Sequence, residues 1–178
     1  MPAPRSASRP DATLAVGAAG MAGVLGPAAW GLGGELGVIA GRFRADAGVL
    51  WMAPADLSLA PGRVREELLA GSARACHGFL RTEVVRLDAC AGALAGATSA
   101  RATGYTRNEQ RTRAWVAIPV GLDATVWTRL VGWGLGVAAL FPVTRSDFGV
   151  DGVGTAYRSP AVGGLATLSI LGIGRGWL

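Results

Sequence analysis

Two cysteines, Cys76 and Cys90, are the residues of this sequence best suited to covalent chemistry. They stand at equal separations from Glu83, which lies in a short polar stretch between two alternating segments. If that stretch is the turn of a symmetric β-hairpin, the cysteines face each other at a spacing that a disulfide accepts. We therefore expect a Cys76–Cys90 disulfide. The alternative is a pair of unbonded cysteines in a core.

Hydrolysis is the second chemistry to weigh, because the only histidine, His77, lies near Ser72, Glu66 and Glu67. A Ser–His–acid site needs the serine within hydrogen-bond reach of the histidine. Ser72 and His77 have opposite parity, so in one strand their side chains point to opposite faces. We expect no catalysis. No metal and no cofactor is expected either, since ligands for zinc are too few and no phosphate-binding motif occurs.

Charged residues of both signs share one parity within the alternating segments. Because an isolated buried charge is costly to keep ionised, charges on an inward face must pair. Such a lumen network is either a polar path or a salt-bridged plug. The interior of an eight-stranded barrel is just wide enough for side chains, which favours the plug. The residues of this expected network are Glu35, Arg44, Asp46, Arg74, Arg86 and Asp88.

Eight segments with period-two alternation must position these side chains, and they cover residues 12–24, 29–40, 42–53, 66–78, 84–97, 112–122, 126–140 and 161–173. Tight turns, near Gly41, in "FLRTE" and in "DAT", alternate with long polar connections at 54–65, 98–111 and 141–160. Short turns on one rim and long external loops on the other are typical of outer-membrane barrels. The sequence predicts an all-β fold, an eight-stranded antiparallel up-and-down transmembrane β-barrel.

The large apolar side chains lie on the parity opposite to the glycines and charges. Only 16% of the residues are charged, whereas about a quarter is usual for a soluble domain. We therefore expect the apolar parity to face lipid. The alternative is a soluble β-barrel that turns this parity inward and binds an apolar ligand. The expected aromatic girdle at the membrane interfaces is Trp30, Phe43, Trp51, Trp127 and Phe141.

The arginines that give the net charge of +5 are scattered and form no basic stripe, so nucleic-acid binding is not expected. One polar stretch, 98–113, concentrates four arginines against one glutamate. Arginine forms charge-assisted bidentate pairs with phosphate, so this stretch could contact lipopolysaccharide, but the pattern favours a solvated loop. The other expected partner is outer-membrane lipid around a monomeric barrel. The four arginines are Arg101, Arg107, Arg111 and Arg113.

The chain is expected to form one domain, a barrel over residues 12–178 that follows a flexible tail at 1–11. No apolar run reaches the roughly 20 residues that a transmembrane helix needs. The tail lacks the apolar core of a secretory signal peptide. A bacterial outer-membrane location is nevertheless the one that the strand pattern favours.

Three stretches resemble a group of small outer-membrane β-barrel proteins of GC-rich Gram-negative bacteria, within the broad OmpA/OmpX-like eight-stranded class. They are "LDACAGALAG", "FPVTRSDF" and "VDGVGTAYRSPAVGGLATLSILGI". The resemblance covers roughly residues 70–174. It implies an eight-stranded antiparallel barrel, matches Cys76 and Cys90 to a paired cysteine motif, and implies no catalytic residue.

The expected function is that of a non-enzymatic outer-membrane protein with a structural or surface-interaction role and, if the lumen is open, limited solute passage. Two alternatives remain. One is the soluble β-barrel for an apolar ligand. The other is a small outer-membrane lipid hydrolase built around His77.

Overall fold

Period-two alternation gives strands along most of the chain in the computed structural model, which describes residues 10–25, 28–59, 62–104, 110–128, 131–144, 147–150, 154–158 and 160–174. These residues form β1 (Asp11–Ala22), β2 (Ala29–Ala40), β3 (Phe43–Leu59), β4 (Gly62–Arg81), β5 (Val85–Thr103), β6 (Gln110–Thr128), β7 (Val131–Pro142), β8 (Asp147–Val150), β9 (Gly154–Arg158) and β10 (Gly163–Gly174). This described part contains no helix long and apolar enough to cross a membrane.

Eight of the strands close into an antiparallel barrel in the order β1-β10-β7-β6-β5-β4-β3-β2. β1 completes the ring by pairing with β10, from Ala12–Gly174 to Ala22–Gly164. Within the barrel wall every strand has a paired neighbour on each side, which a bilayer requires because its core offers no water to backbone groups. β8 and β9 form a separate hairpin between β7 and β10. The predicted eight-stranded antiparallel barrel is confirmed.

The two rims of the barrel differ. The turn rim holds the start of β1, the end of β10 and the β2–β3, β4–β5 and β6–β7 connections. The loop rim holds the β1–β2, β3–β4 and β5–β6 connections and the longer β7–β10 connection with its hairpin. Both ends of the barrel sequence therefore lie at the turn rim.

Alternation along the strands gives the barrel an apolar outer wall. A belt of exposed large apolar side chains of this extent is unfavourable in water and matches the hydrocarbon core of a membrane. The arrangement contradicts the soluble alternative, in which the same residues would face inward. Exposed members of the belt include Leu14, Val16, Leu32, Leu36, Val49, Leu69, Val120, Leu122, Trp133, Leu135, Val137, Leu168 and Ile170.

β6 runs further than the sequence predicts. Instead of a turn at 123–125, the strand continues through Asp123 and pairs with β7 as far as Thr128–Val131. The longer strand places Trp127 on the same parity as Asp123 and the buried Thr125, so its prediction as a lipid-facing girdle residue is wrong. Its ring instead lies over Gly132, where an added Cβ would come 2.8 Å from it.

Two of the predicted external loops are mostly strand. β3 and β4 pair as far as Leu59–Gly62, which replaces the loop expected at 54–65. β5 and β6 pair as far as Arg101–Gln110, which replaces most of the loop expected at 98–111. These stretches are polar because they extend into water outside the bilayer. Their backbone groups still form hydrogen bonds with each other, so the stretches are strands and not loops. A bulge between Met52 and Ala55 accommodates Pro54, which lacks an N–H donor.

The remaining boundaries shift less. Part of the loop expected at 141–160 is the β8–β9 hairpin, and β7 itself continues to Pro142. Residues 1–9 of the expected tail lie outside the described residues. Asp11, which the sequence assigns to the tail, already pairs with Ile39 of β2.

Candidate functional site

An ionic cluster fills the half of the lumen nearer the turn rim, and Arg44 of β3 is its centre. The Arg44 side chain is only 6% exposed. Its Nε donates a hydrogen bond to Asp46 Oδ2 at 2.8 Å, and its Nη1 donates to Asp88 Oδ2 at 3.2 Å. Its Nη2 donates to Asp123 Oδ2. Asp88 and Asp123 are register partners on β5 and β6, so one guanidinium joins three strands.

Arg74 of β4 links this cluster to β2. Its Nη2 donates to Glu35 Oε2 at 2.5 Å, and its Nη1 lies 3.2 Å from Asp123 Oδ2. Arg86 completes the cluster, because its Nε donates to Asp88 Oδ1 at 2.7 Å. The structure places every residue of the expected lumen network on the inward face, namely Glu35, Arg44, Asp46, Arg74, Arg86 and Asp88.

Asp123 is the cluster member that sequence reasoning missed. The "DAT" stretch has turn propensity, and a turn there removes Asp123 from the lumen. The signal that would have identified it is its parity with Gly121 in an uninterrupted strand, since the inward parity elsewhere combines glycine with isolated charges.

Within the ionic cluster, four carboxylates meet three guanidinium groups, and each of these charges has an opposite partner. Removing one partner from a buried pair costs about 3–5 kcal/mol, because the other charge stays buried and uncompensated. The cluster therefore acts as a brace across β2 to β6. The seven residues are Glu35, Asp46, Asp88, Asp123, Arg44, Arg74 and Arg86.

Glycines make the room that these carboxylates occupy. A Cβ added at Gly37 would lie 2.7 Å from Thr13 Oγ1 and would collide with the Asp46 carboxylate. A Cβ added at Gly136 would lie 2.7 Å from Asp123 Oδ1. The glycine-rich inward parity therefore reflects the volume of the charged side chains in a narrow barrel.

The disulfide lies against the same cluster. Cys76 and Cys90 are register partners on β4 and β5, bonded to each other, with Cα atoms 4.1 Å apart. The predicted disulfide is confirmed. Arg44 Nη2 lies 3.6 Å from Cys76 Sγ. The two sulfurs and an Asp123 oxygen are close enough together to surround a cation, but the bonded sulfurs offer no thiolate and the guanidinium repels positive charge.

The half of the lumen nearer the loop rim is mostly apolar, which sequence reasoning did not anticipate. Side chains from most strands of the barrel meet there in a cluster that we call the outer plug. Between the plug and the ionic cluster remains a cavity of about 90 Å³, enough for about three water molecules. The outer plug comprises Ala19, Met21, Val24, Leu25, Leu50, Met52, Leu68, Ala70, Leu94, Trp115, Ala117 and Leu140.

Four of the five expected girdle residues lie on the outer wall. Trp30 and Trp51 are exposed near the loop rim, with ring centroids 6.3 Å apart in an edge-to-face arrangement. Phe141 is exposed at the same end of β7, and Phe43 is exposed at the turn rim.

The residues considered for hydrolysis are not brought together. His77 is exposed on the outer wall, where its ring centroid lies 5.2 Å from that of Phe43. Ser72 lies on the inward parity opposite Gly48. Glu66 is buried near the loop rim, at the other end of β4 from His77. The described residues therefore offer no Ser–His hydrogen bond.

The paired ends of β3, β4, β5 and β6 continue beyond the apolar belt as a sheet that we call the external sheet. Its outward face carries Arg63, Arg65 and Arg101, all exposed, and Arg65 is the register partner of Arg101. Of the arginines expected in stretch 98–113, Arg111 and Arg113 are also exposed but share the inward parity of Ala100 and Thr98. Arg107 lies outside the described residues.

Comparison with solved structures identifies proteins that share this architecture. A major outer membrane protein from Thermus thermophilus superposes with a TM-score of 0.66 at 11% identity, over 92% of this chain and 99% of that one. The chain has the fold of the small outer-membrane β-barrels. Ail of Yersinia pestis, in complex with the heparin analogue sucrose octasulfate, gives 0.58 at 10% identity, over 93% of this chain and 99% of that one. Neisserial surface protein A superposes with a TM-score of 0.52 at 13% identity, over 93% of this chain and 97% of that one.

At these identities the likeness concerns the fold. No family model matches the chain, and no curated protein matches its sequence. The outer-membrane barrel fold nevertheless agrees with the lipid-facing belt and with the ionic cluster inside the barrel.

Proposed function

We propose that this barrel is a non-enzymatic surface protein of the bacterial outer membrane whose external sheet binds saccharides that carry phosphate or sulfate groups. The first candidate is the lipopolysaccharide of its own membrane. The observation that carries the proposal is the position of Arg65 directly opposite Arg101 on an exposed outward face.

This arrangement favours an anionic ligand. Like charges opposed across an antiparallel pair destabilise a sheet. A phosphate or sulfate bound between Arg65 and Arg101 would offset the repulsion, because guanidinium groups bind such anions through two parallel hydrogen bonds. Arg63 extends the basic face by one step along β4. The carboxylate of Asp56 lies 3.9 Å from Arg65 Nε, and both side chains are mostly exposed, so this loose pair contributes little and is easily displaced.

The height of these arginines suits the headgroup region. Leu69 is the last large apolar residue on the outward face of β4 before the loop rim. Arg65 lies four residues further along, about 13 Å at about 3.3 Å per residue. For a strand tilted by about 40°, this is roughly 10 Å beyond the belt, where lipid phosphates meet water.

Three other observations support the proposal. Ail, which shares the fold, was crystallised with a sulfated saccharide. The filled lumen of the present barrel supports a structural role over solute passage, since the outer plug and the ionic cluster occupy both halves of its described interior. The opposite orientations of His77 and Ser72 support a role without catalysis.

Binding to barrels refolded into phosphatidylcholine nanodiscs tests the proposal. The probes are sucrose octasulfate and lipopolysaccharide, the latter intact or enzymatically dephosphorylated. We expect the double variant Arg65→Gln/Arg101→Gln to bind both anionic probes at least about tenfold more weakly, because it loses charge-assisted pairs. The matched variant Arg42→Gln/Arg81→Gln, at the turn rim, should bind as the unmodified barrel does. Equal binding by the two variants, or full binding of dephosphorylated lipopolysaccharide, would contradict the proposal.

A further inference from the structure

Glu66 of β4 is a buried acid without a partner. Its side chain lies on the inward face near the loop rim, and the residue is 1% exposed. Among the described residues, neither of its carboxylate oxygens has a hydrogen-bond partner. Its inward neighbours on β4 are Val64 and Leu68, both buried, and its register partners are Ala55 of β3 and Ala100 of β5. The surroundings are apolar on every side that these strands provide.

This carboxyl therefore differs from those of the ionic cluster. Each acid of the cluster meets an arginine, whereas Glu66 adjoins the outer plug through Leu68. The indole Nε1 of Trp115, another buried plug residue, also lacks a partner in the described part of the chain. An ionised carboxylate in such a site is costly, and a neutral carboxyl is far less so.

The charges nearest to Glu66 along each packed strand can be identified. On β4, Arg65 and Glu67 point outward, and the next inward charge is Arg74, eight residues away. On β3, Asp56 faces outward with Arg65. On β5, Arg101 faces outward. On β6, Arg111 and Arg113 share the inward parity and are exposed at the mouth of the barrel.

Glu66 lies beyond the lipid-facing belt, three residues from Leu69 towards the loop rim. Burial raises the pKa of the Glu66 carboxyl to about 7. Its neutral and ionised forms are therefore both accessible within the pH range that an external surface meets.

We propose that Glu66 is a proton-operated latch on the outer half of the lumen. When protonated, its side chain lies against the outer plug, which stays packed. When it ionises, the proton passes to solvent, and the carboxylate moves out of its apolar site towards water and the guanidinium groups of Arg111 and Arg113. The movement loosens the packing beside Leu68 and admits water to the outer plug.

Thiol accessibility next to Glu66 tests the latch. The native cysteines are bonded to each other, so a cysteine introduced by Ala100→Cys is the reactive thiol of the oxidised protein. Its labelling by a membrane-impermeant methanethiosulfonate reagent is followed from pH 5.5 to pH 8.5, and Ser99→Cys, on the outward face, corrects for ionisation of the thiol itself. We expect the ratio of the two rates to rise about tenfold or more as the acid ionises.

The neutral variant Glu66→Gln supplies the matched control. In this background the corrected rate at Ala100→Cys should stay low at every pH, whereas Glu67→Gln, on the outward face, should leave the rise unchanged. The proposal would be overturned if the corrected labelling rate at Ala100→Cys did not change with pH in the protein that keeps Glu66. It would also be overturned if Glu66→Gln showed the same rise in that rate. If Glu66→Gln does not refold, the comparison of Ala100→Cys with Ser99→Cys still decides between the outcomes.

Discussion

Arg44 on β3 donates a hydrogen bond to Asp123 on β6, across the lumen and past the two strands that separate them in the wall. In this barrel, neighbouring strands are joined by backbone hydrogen bonds, so a direct link between non-neighbouring strands must come from side chains. The same guanidinium reaches Asp46 and Asp88, which makes it the residue whose loss leaves most charge uncompensated.

Replacing Arg44 should therefore destabilise the barrel strongly. We expect Arg44→Met to lower the free energy of unfolding by about 3–5 kcal/mol, because buried carboxylates lose their partner. Urea unfolding in lipid vesicles measures the change. Arg65→Met, which removes a guanidinium from the exposed external sheet, is the matched control and should change stability by less than about 1 kcal/mol. Equal effects would show that the cluster is not a brace.

Adding Asp123→Asn to Arg44→Met should restore part of the lost stability. The second change removes one of the carboxylates that the first leaves unpaired, so the two effects are not additive. The double-mutant cycle, measured in the same vesicles, gives the coupling free energy directly. A coupling near zero would contradict the contact between Arg44 and Asp123.

The Cys76–Cys90 disulfide should contribute modestly to stability. It closes a loop of 14 residues, for which the loop-entropy model gives about 3 kcal/mol, but the hairpin between the cysteines already limits the unfolded chain. We expect Cys76→Ala/Cys90→Ala to lose about 1–3 kcal/mol and still refold. Thiol labelling of the denatured protein should detect no thiol before reduction and two after it. Two free thiols before reduction would contradict the bond.

Stability should fall as pH rises through the range in which Glu66 ionises. Its pKa is raised from 4.5 to about 7 in the folded barrel, so the unfolded chain releases this proton first and the protonated form favours folding. The contribution of protonated Glu66 to the free energy of unfolding is fully present below pH 4.5 and is lost as pH rises to about 7. It amounts to about 3 kcal/mol. Unfolding by urea at a series of pH values measures this loss, and Glu66→Gln should abolish that part of the pH dependence. If the free energy of unfolding depended on pH in the same way in the unmodified protein and in Glu66→Gln, the prediction would be wrong.

The lipid-facing belt predicts where a charge is least tolerated. Leu36 is 66% exposed on the outer wall, in the middle of β2. Arginine at mid-bilayer positions of outer-membrane barrels costs about 2–4 kcal/mol, so Leu36→Arg should unfold at correspondingly lower urea concentrations.

Gel mobility tests the membrane assignment itself. Boiled and unboiled samples of the unmodified protein should migrate differently only when the protein was refolded in micelles or vesicles. A folded monomer in plain buffer would contradict the membrane assignment.

The alternation of residues along each strand was sufficient to predict the barrel architecture. Alternation of two parities identified the lipid-facing residues of β2, β3 and β7, because a strand that separates lipid from a narrow lumen needs large apolar residues on one side only. The symmetry of "FLRTE" and its flanks was enough to pair Cys76 with Cys90, since a hairpin register follows from its turn. No such local signal marks the partner of Arg44, because Asp123 lies 79 residues away and in a stretch with turn propensity.

What the sequence by itself determined is the strand pattern, the inward and outward parities and the class of barrel, all of which depend on neighbours along one strand. Only the tertiary structure decided where each strand ends, that Trp127 faces inward, that the outer half of the lumen is an apolar plug and that Glu66 is buried without a partner. These properties depend on what barrel closure brings opposite each side chain. Sequence parity states that a residue points inward, but whether it meets an arginine, a leucine or water depends on strands far away in the chain.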